Sequence, residues 1–319
     1  MDVRKVQKSG SSSFIISLPL HWAKAHKLEK NRPVFIEENA DGSLLVFPAE
    51  PRKALPSSFV LHLTGKERGG VLFRKMVAAY ISGYGSIELV PGKGQSEKAS
   101  KLAADFVSAT VGQEIVEETD AKISIKDILN PAELPMQKAV RRMDSVCGRM
   151  NALAVGTLSG SRPSMETLEA MERDVDRLLW LVARKHHMFL RSPSSAASEG
   201  ISLPESHLFF MCALNIERVA DHARAICKEG AKFEKLHTLA IFAQSAYKDS
   251  TTALFSKDDA QAQQIIENVI GTPHSYESFL RGGSAPAWQV SCLASIRRIS
   301  EYSAGICENL IDYTASQEQ

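Results

Sequence analysis

The sequence predicts a multi-domain α+β protein with a β-rich N-terminus, a small α/β middle domain and a six-helix C-terminal part. Three observations support this prediction. Short apolar stretches with turn residues fill residues 1–50, strand and helix patterns alternate over 57–130, and a helical period continues over 131–319. A chain of 319 residues, 44% hydrophobic and 24% charged, has enough apolar sequence for more than one core.

The N-terminal region, residues 1–50, has the pattern of short strands and turns around one short helix. Its strand and helix patterns cover residues 13–18, 21–25, 33–38 and 43–47. Asp41 and Gly42 form a hairpin turn signal between the last two strands. Prolines then mark a linker, at positions 48, 51 and 56.

Positive charge is concentrated at the N-terminus, although the whole chain has a net charge of only +1. Residues 3–32 carry seven Lys and Arg residues against one Glu, a local charge of +6. A basic face built on strands is suited to contacts with DNA phosphates, and a solvated surface with a flexible serine turn is the open alternative. The candidate DNA-binding residues are Arg4, Lys5, Lys8, Lys24, Lys27, Lys30 and Arg32.

The middle region, residues 57–130, alternates strand and helix patterns in a β-α-β-α-β order. Strand patterns cover 59–63, 86–90, 114–116 and 122–125, and helix patterns cover 71–81 and 97–111. This order predicts a small α/β domain. Its sequence names no ligand, and a plain spacer is the preferred interpretation.

The C-terminal region, residues 131–319, predicts six helices and contains an internal repeat. The predicted helices are 132–158, 164–190, 203–229, 232–256, 258–280 and 286–314. A shift of 80 residues aligns Cys212–Cys227 with Cys292–Cys307, with five identities in 16 positions. The similarity favours a duplicated three-helix unit, with repeats at 131–230 and 231–319, over two merely similar amphipathic helices.

Two pairs of carboxylates have the i, i+4 spacing that places both members on one helix face. They are Glu172 with Asp176 and Glu217 with Asp221. Two like charges on one face repel each other unless a cation or an Arg lies between them, and hard cations prefer oxygen ligands. Two facing helices would then supply four carboxylates to one ion or cluster. Solvated faces or salt bridges to Arg173, Arg177 and Arg218 are the alternative.

No pattern in the chain indicates chemistry on a substrate, so we do not expect an enzyme. Glu234 and His237 form one Glu-x-x-His motif, where a di-iron carboxylate enzyme uses two. We expect His186 and His187 at a helix end with their polar tips in water. The five cysteines form no CxxC motif and are predicted to be reduced in a cytoplasmic protein. No apolar run is long enough for membrane insertion.

A further pattern of specific order and spacing covers residues 4–48. Its elements are Arg4-Lys5-Val6-Gln7, the turn from Gly10 to Ser13, Phe14 to Pro19, Trp22-Ala23, Leu28, Val34 to Ile36, and Asp41 to Pro48. This pattern resembles the SpoVT/AbrB-type swapped-hairpin DNA-binding domain. The resemblance implies a homodimer in which two chains interleave their hairpins into one barrel and present Arg4, Lys5 and Lys8 to DNA.

An acidic E/D-x-x-x-D pattern occurs in the segment from Ile216 to Ala223 and in the pair of Glu172 and Asp176. It matches the signature of PhoU, the negative regulator of phosphate uptake, which residues 132–319 resemble. The resemblance implies two three-helix bundles in tandem. It also implies a metal cofactor, a divalent or iron ion, in the first bundle. With the middle region included, the chain resembles archaeal PhoU-type regulators that carry an AbrB-like N-terminus.

The second repeat departs from the acidic signature. Arg297 stands where the first repeat has Glu217, although Glu301 matches Asp221. Gly271 stands where the partner of Glu267 would be. An Arg beside a lone carboxylate supplies its counter-charge. We therefore predict at most one occupied metal site, in the first bundle.

These patterns predict a cytoplasmic, dimeric transcription regulator of phosphate uptake that binds DNA and senses metal or a partner protein through its helices. The alternative is a signalling adaptor without DNA binding, which docks on a phosphate transporter or a histidine kinase. In the alternative the hairpin serves dimerisation alone. Capture of DNA by the purified protein would distinguish the two.

Overall fold

The computed structural model describes residues 3–11, 13–38, 42–49, 58–128, 133–271 and 285–317. The chain divides into two compact units, residues 1–54 and residues 55–319. Asp41 of the predicted turn and the predicted linker prolines 51 and 56 lie outside the described residues.

The first unit consists of two separate two-stranded sheets and one short helix. Strand β1 (Gln7–Ser9) pairs antiparallel with β2 (Ser13–Ile15), and β3 (Phe35–Glu38) pairs antiparallel with β4 (Leu44–Phe47). Helix α1 spans Leu20–Ala25. Strand β2 ends at Ile15, three residues earlier than predicted. No described residue of this unit is buried, so the described part of the unit forms no hydrophobic core.

The middle region forms one four-stranded sheet with two helices. Its elements are β5 (Ser58–Leu63), α2 (Gly69–Ile81), β6 (Ser86–Pro91), α3 (Ser96–Ala109), β7 (Gln113–Glu118) and β8 (Ile123–Asp127). The strand order is β5-β6-β8-β7, parallel between β5 and β6 and antiparallel at the other two junctions. Leu72, Met76, Ala79 and Tyr80 recur at helical spacing and are buried on α2.

Gly92 follows β6 at a position where a side chain has no room. Its amide donates to the carbonyl oxygen of Leu63 at 2.8 Å, and a β carbon on Gly92 would lie 2.7 Å from the same oxygen. The glycine therefore permits the close approach of two backbone segments at the end of β5 and β6. Backbone packing thereby explains the glycine at the first position of the Gly92-Lys93-Gly94 segment.

We expect Gly92→Ala to destabilise the second unit by about 1–3 kcal/mol, because the added methyl group must push the Leu63 carbonyl away. Urea unfolding followed by circular dichroism measures the effect. Gly70→Ala is the matched control, since its β carbon meets only the Arg74 Nη1 atom at 3.8 Å. Equal stability of Gly92→Ala and the control would contradict the proposed steric role.

The C-terminal region is helical. Its helices are α4 (Met136–Ser159), α5 (Met165–Arg191), α6 (Pro193–Ser198), α7 (Leu203–Glu229), α8 (Glu234–Ser256), α9 (Asp259–Ile270) and α10 (Ala287–Ala315). Three begin at a side-chain cap, where Ser164, Ser202 and Asp258 accept a hydrogen bond from the backbone amide three residues on. One hydrophobic core runs through α4, α5, α7, α8, α9 and α10.

Two predictions in the helical region need correction. The predicted helix 258–280 ends at Ile270, because Gly271 follows it and Pro273 cannot continue a helix; residues 272–284 lie outside the described residues. His186 does not place its ring in water: it is 5% exposed, its Nδ1 lies 3.0 Å from the Ser206 hydroxyl and its ring stacks on Phe210.

All five cysteines are free thiols buried in the core, as predicted. Among the described residues, no helix combines the length and the apolar character that a membrane crossing requires.

Candidate functional site

The packing of α5 against α7 brings the four predicted carboxylates into one acidic cluster. Glu172 and Asp176 project from α5, and Glu217 and Asp221 project from α7. Asp176 is repelled by Glu172 and Asp221, and Glu217 is repelled by all three of the others. We call these four residues the acidic cluster. Its two halves are separated by 41 or more positions in the sequence and meet only through helix packing.

Burial and repulsion from neighbouring carboxylates hold protons on Asp176 and Glu217 at unusually high pH. Burial, followed by the neighbouring carboxylates, raises the pKa of Asp176 to about 6 and the pKa of Glu217 to about 7. Burial also raises the pKa of Glu172, against the opposing effect of Arg224. Because each charge is costly here, the cluster favours either protons or a positively charged partner.

Two arginines supply part of the missing positive charge. The Arg224 Nε lies 2.9 Å from a carboxylate oxygen of Glu172, and the Arg218 Nε lies 3.5 Å from one of Glu217. Arg218 is 57% exposed, so solvent screens its contribution. Arg177, which the sequence offered as another partner, lies 3.8 Å from Asp174 instead.

The chemistry of the acidic cluster suits a hard cation, because its donors are carboxylate oxygens from two facing helices. The arrangement of the side chains is less suitable. Within the described ranges, no group of three or more His, Cys, Asp and Glu side chains is arranged to hold a metal ion. A cation would therefore require the carboxylates to turn inward and Glu172 to release Arg224.

The acidic cluster should make folding stability fall as the pH rises. Glu172, Asp176 and Glu217 bind protons more tightly in the folded protein than in the unfolded chain, so the loss spans the window from the ordinary value of 4.5 to about 7 for Glu217. We expect Glu217→Gln to raise the free energy of unfolding at pH 8 by about 1 kcal/mol, a value that allows for solvent screening, and to change it much less at pH 5, near the lower end of this window.

Urea unfolding at pH 5 and pH 8 measures this difference. Glu308→Gln, at an exposed position of α10, is the control and should change neither value. If Glu217→Gln shifted stability equally at both pH values, packing rather than charge would explain the effect.

The corresponding position in the second repeat is already neutralised. The Arg297 Nε lies 2.7 Å from one carboxylate oxygen of Glu301, and the Arg298 Nη1 lies 2.8 Å from the other. Burial opposes ionisation of Glu301, but the hydrogen bonds from both arginines outweigh it and lower its pKa. The positive charge that the acidic cluster lacks is thus built into α10.

The predicted DNA-binding residues are all exposed in the first unit. Arg4 and Lys5 precede β1, Lys8 lies in it, and Lys24 lies in α1. Past α1, the Arg32 Nη1 donates to the carbonyl oxygen of Lys27 at 3.0 Å. Lys30 lies between these two residues in the sequence and is exposed as well. Their role in DNA binding stays a prediction.

A row of arginines that the sequence patterns did not reveal joins α5 to the middle region. Arg177, Arg184 and Arg191 recur every seven residues on α5, and each donates to a backbone carbonyl of the middle region. Arg184 bonds the carbonyls of Tyr80 and Tyr84. We call these three residues the arginine row. Its seven-residue spacing was visible in the sequence, but the carbonyl partners were not.

Arg184 lies at the centre of the contact between α5 and the middle region. Its Nη2 lies 2.6 Å from a carboxylate oxygen of Asp127 at the end of β8, and its guanidinium lies 4.8 Å from the ring centre of Tyr80. The side chain is 5% exposed. The middle region is therefore fixed to the helices by a buried charge.

Comparison with known proteins identifies one domain. Residues 140–230 match the family model of the PhoU domain. The match covers most of α4, all of α5, α6 and α7, and all four members of the acidic cluster. No curated protein and no solved structure matches the chain.

Proposed function

We propose that this protein regulates phosphate uptake, and that it does so as a homodimer that binds DNA through its first unit. The match of residues 140–230 to the PhoU domain is the observation that supports a role in phosphate uptake.

Dimerisation accounts for the apolar side chains of the first unit. Phe14 is 74% exposed, Ile36 is 63% exposed and Leu44 is 61% exposed. Isolated two-stranded hairpins are at best marginally stable in water, and three or more strands with a hydrophobic face are needed for independent stability. A second copy supplies two further hairpins with the same apolar side chains. Two interleaved copies would therefore build the core that one copy lacks.

DNA binding accounts for the charge of the same unit. The local charge of +6 over residues 3–32 is doubled in a dimer, and the seven basic side chains that carry it are exposed. About 6–10 phosphate contacts would make the binding steeply dependent on salt. The helical part binds no DNA in this proposal and supplies the regulatory signal.

The acidic cluster would receive a divalent or iron ion as that signal. Glu172, Asp176, Glu217 and Asp221 would hold the ion, which supplies the positive charge that offsets their repulsion. The second repeat would stay without metal, because Arg297 and Arg298 already neutralise Glu301.

Metal analysis and calorimetry of the full-length protein test this part of the proposal. We expect Mn²⁺ or Fe²⁺ binding above pH 7 that Glu217→Gln and Asp221→Asn abolish. Glu301→Gln is the matched control in the second repeat and should leave the binding unchanged. Equal metal content in both repeats, or binding that survives the changes in the acidic cluster, would contradict it.

Genome-wide DNA capture by the purified full-length protein, at high and low phosphate, tests the DNA-binding role. A captured site is then titrated at two salt concentrations with the wild type and with the triple change of Arg4, Lys5 and Lys8 to Ala. We expect the salt slope to fall by up to about five, since six cations are lost per dimer. The triple change of Arg68, Arg74 and Lys75 to Ala, exposed in the middle region, is the control.

A signalling adaptor is the second candidate function. The observation that favours it is the position of the PhoU match, which lies wholly in the helical part and leaves the first unit unassigned. The adaptor would dock on a phosphate transporter or a histidine kinase. If no DNA site is captured and such a partner is, the protein acts as the adaptor and not as a DNA-binding regulator.

A further inference from the structure

A cavity of about 170 Å³ lies beside the arginine row, between the middle region and α5. Tyr80 and Val111 line it from the middle region, and Leu181 and Phe189 line it from α5. Ser195 of the short helix α6 also lines it. The walls are mostly apolar, as is typical of small-molecule sites that lie between domains.

Two deeply buried cations are part of this wall. The side chains of Arg184 and Lys185 are 5% and 6% exposed. Arg184 is paired with Asp127, and the Lys185 Nζ is in direct contact with a carboxylate oxygen of Glu199. Burying each charge costs several kcal/mol, part of which pairing returns. The two pairs place charges of both signs on a mostly apolar wall, where a bound molecule can reach them.

We propose that this cavity binds a small zwitterion with an aliphatic side chain, of the class of the free aliphatic amino acids. Within the described part of the chain, the charged lining consists of two cations and two carboxylates, so a ligand with one net charge would meet as much repulsion as attraction. A zwitterion places its carboxylate toward Arg184 and Lys185 and its ammonium toward Asp127 and Glu199.

The size of the cavity and its apolar walls indicate the uncharged part of the ligand. An engineered cavity of about 150 Å³ holds benzene, so this one has room for roughly six to nine heavy atoms. Leu181, Phe189 and Val111 offer the contact surface for a branched aliphatic side chain. Because the ligand touches the middle region and α5 together, its binding would stabilise the contact between them. The proposal rests on the cavity alone and is independent of DNA or metal binding.

Calorimetric titration of the full-length protein with valine, leucine and isoleucine tests the proposal. We expect at least one of them to bind saturably. For leucine, two analogues lack one charge each: leucinamide has no carboxylate and 4-methylpentanoate has no ammonium. Each should bind at least about tenfold more weakly, because it lacks one of the charge-assisted hydrogen bonds that the amino acid makes to the cavity wall. Inorganic phosphate should not compete with the amino acid.

Variants at lining positions test whether the amino acid binds in the cavity. Ser195→Phe fills it and should abolish saturable binding, while Ser108→Phe, at an exposed position of α3, is the matched control. Ser198→Trp, at an exposed lining position of α6, is a second variant in case the first one does not fold, which circular dichroism decides. No binding of the three amino acids, equal binding of 4-methylpentanoate, competition by phosphate, or binding that survives the folded cavity variants would overturn the proposal.

Discussion

Phe14→Asp is expected to convert the protein into a monomer and to abolish DNA binding. Phe14 is 74% exposed on β2 in the single chain, so an Asp there costs the isolated chain little. In the proposed interleaved dimer the same position would lie in an apolar core, and each dimer would bury two copies. We expect the dimer dissociation constant to rise at least about 100-fold, which corresponds to the loss of two buried aromatic side chains.

Sedimentation equilibrium of the full-length protein measures the dissociation constant, and DNA titration at the same protein concentrations measures the linked loss of binding. Val116→Asp is the matched control, because Val116 is 50% exposed on β7, in the second unit. It should leave the dimer intact. A Phe14→Asp protein that stays dimeric would show that the hairpins do not form the interface.

Arg184→Ala is expected to lower the free energy of unfolding by about 3–5 kcal/mol, because it leaves the Asp127 carboxylate without its strongest partner and opens a void beside Tyr80. The lost bonds to the carbonyls of Tyr80 and Tyr84 add to the effect. The middle region should loosen from α5 first. Hydrogen exchange at the amides of α2 and β8 should then rise more than at the amides of α7.

Urea unfolding followed by circular dichroism measures the overall loss. Arg142→Ala is the matched control: Arg142 is 58% exposed and lies 3.9 Å from Asp174, so its removal should cost less than about 1 kcal/mol. A loss of the same small size for Arg184→Ala would contradict the view that a buried charge fixes the middle region to the helices.

Much of the helical architecture could be predicted because its information is local. The apolar period of residues 71–81 predicted a helix there, and α2 spans Gly69–Ile81. Helices α5 and α7 begin within one residue of their predicted starts, each after a capping serine, Ser164 or Ser202. The fifth predicted helix was too long, since the apolar period was extended past Gly271 and Pro273.

Local sequence patterns predicted only part of the candidate site. The i, i+4 spacing identified each carboxylate pair, since residues four apart share a helix face. It did not place Arg224 beside Glu172 or give the burial that raises the pKa of Glu217. His186 shows the same limit, because its neighbour Ser206 is on another helix.

The sequence by itself determined the order of the elements, the basic N-terminus, the two carboxylate pairs and the Arg at position 297 that removes the pair from the second repeat. Each of these is a matter of residue type and short spacing. Only the tertiary structure decided which charges are buried and which partners they have. Arg184 reaches Tyr80 across 104 positions of the chain. The cost of burying its charge, and the cavity beside it, arise only where the middle region and the helices exclude water together.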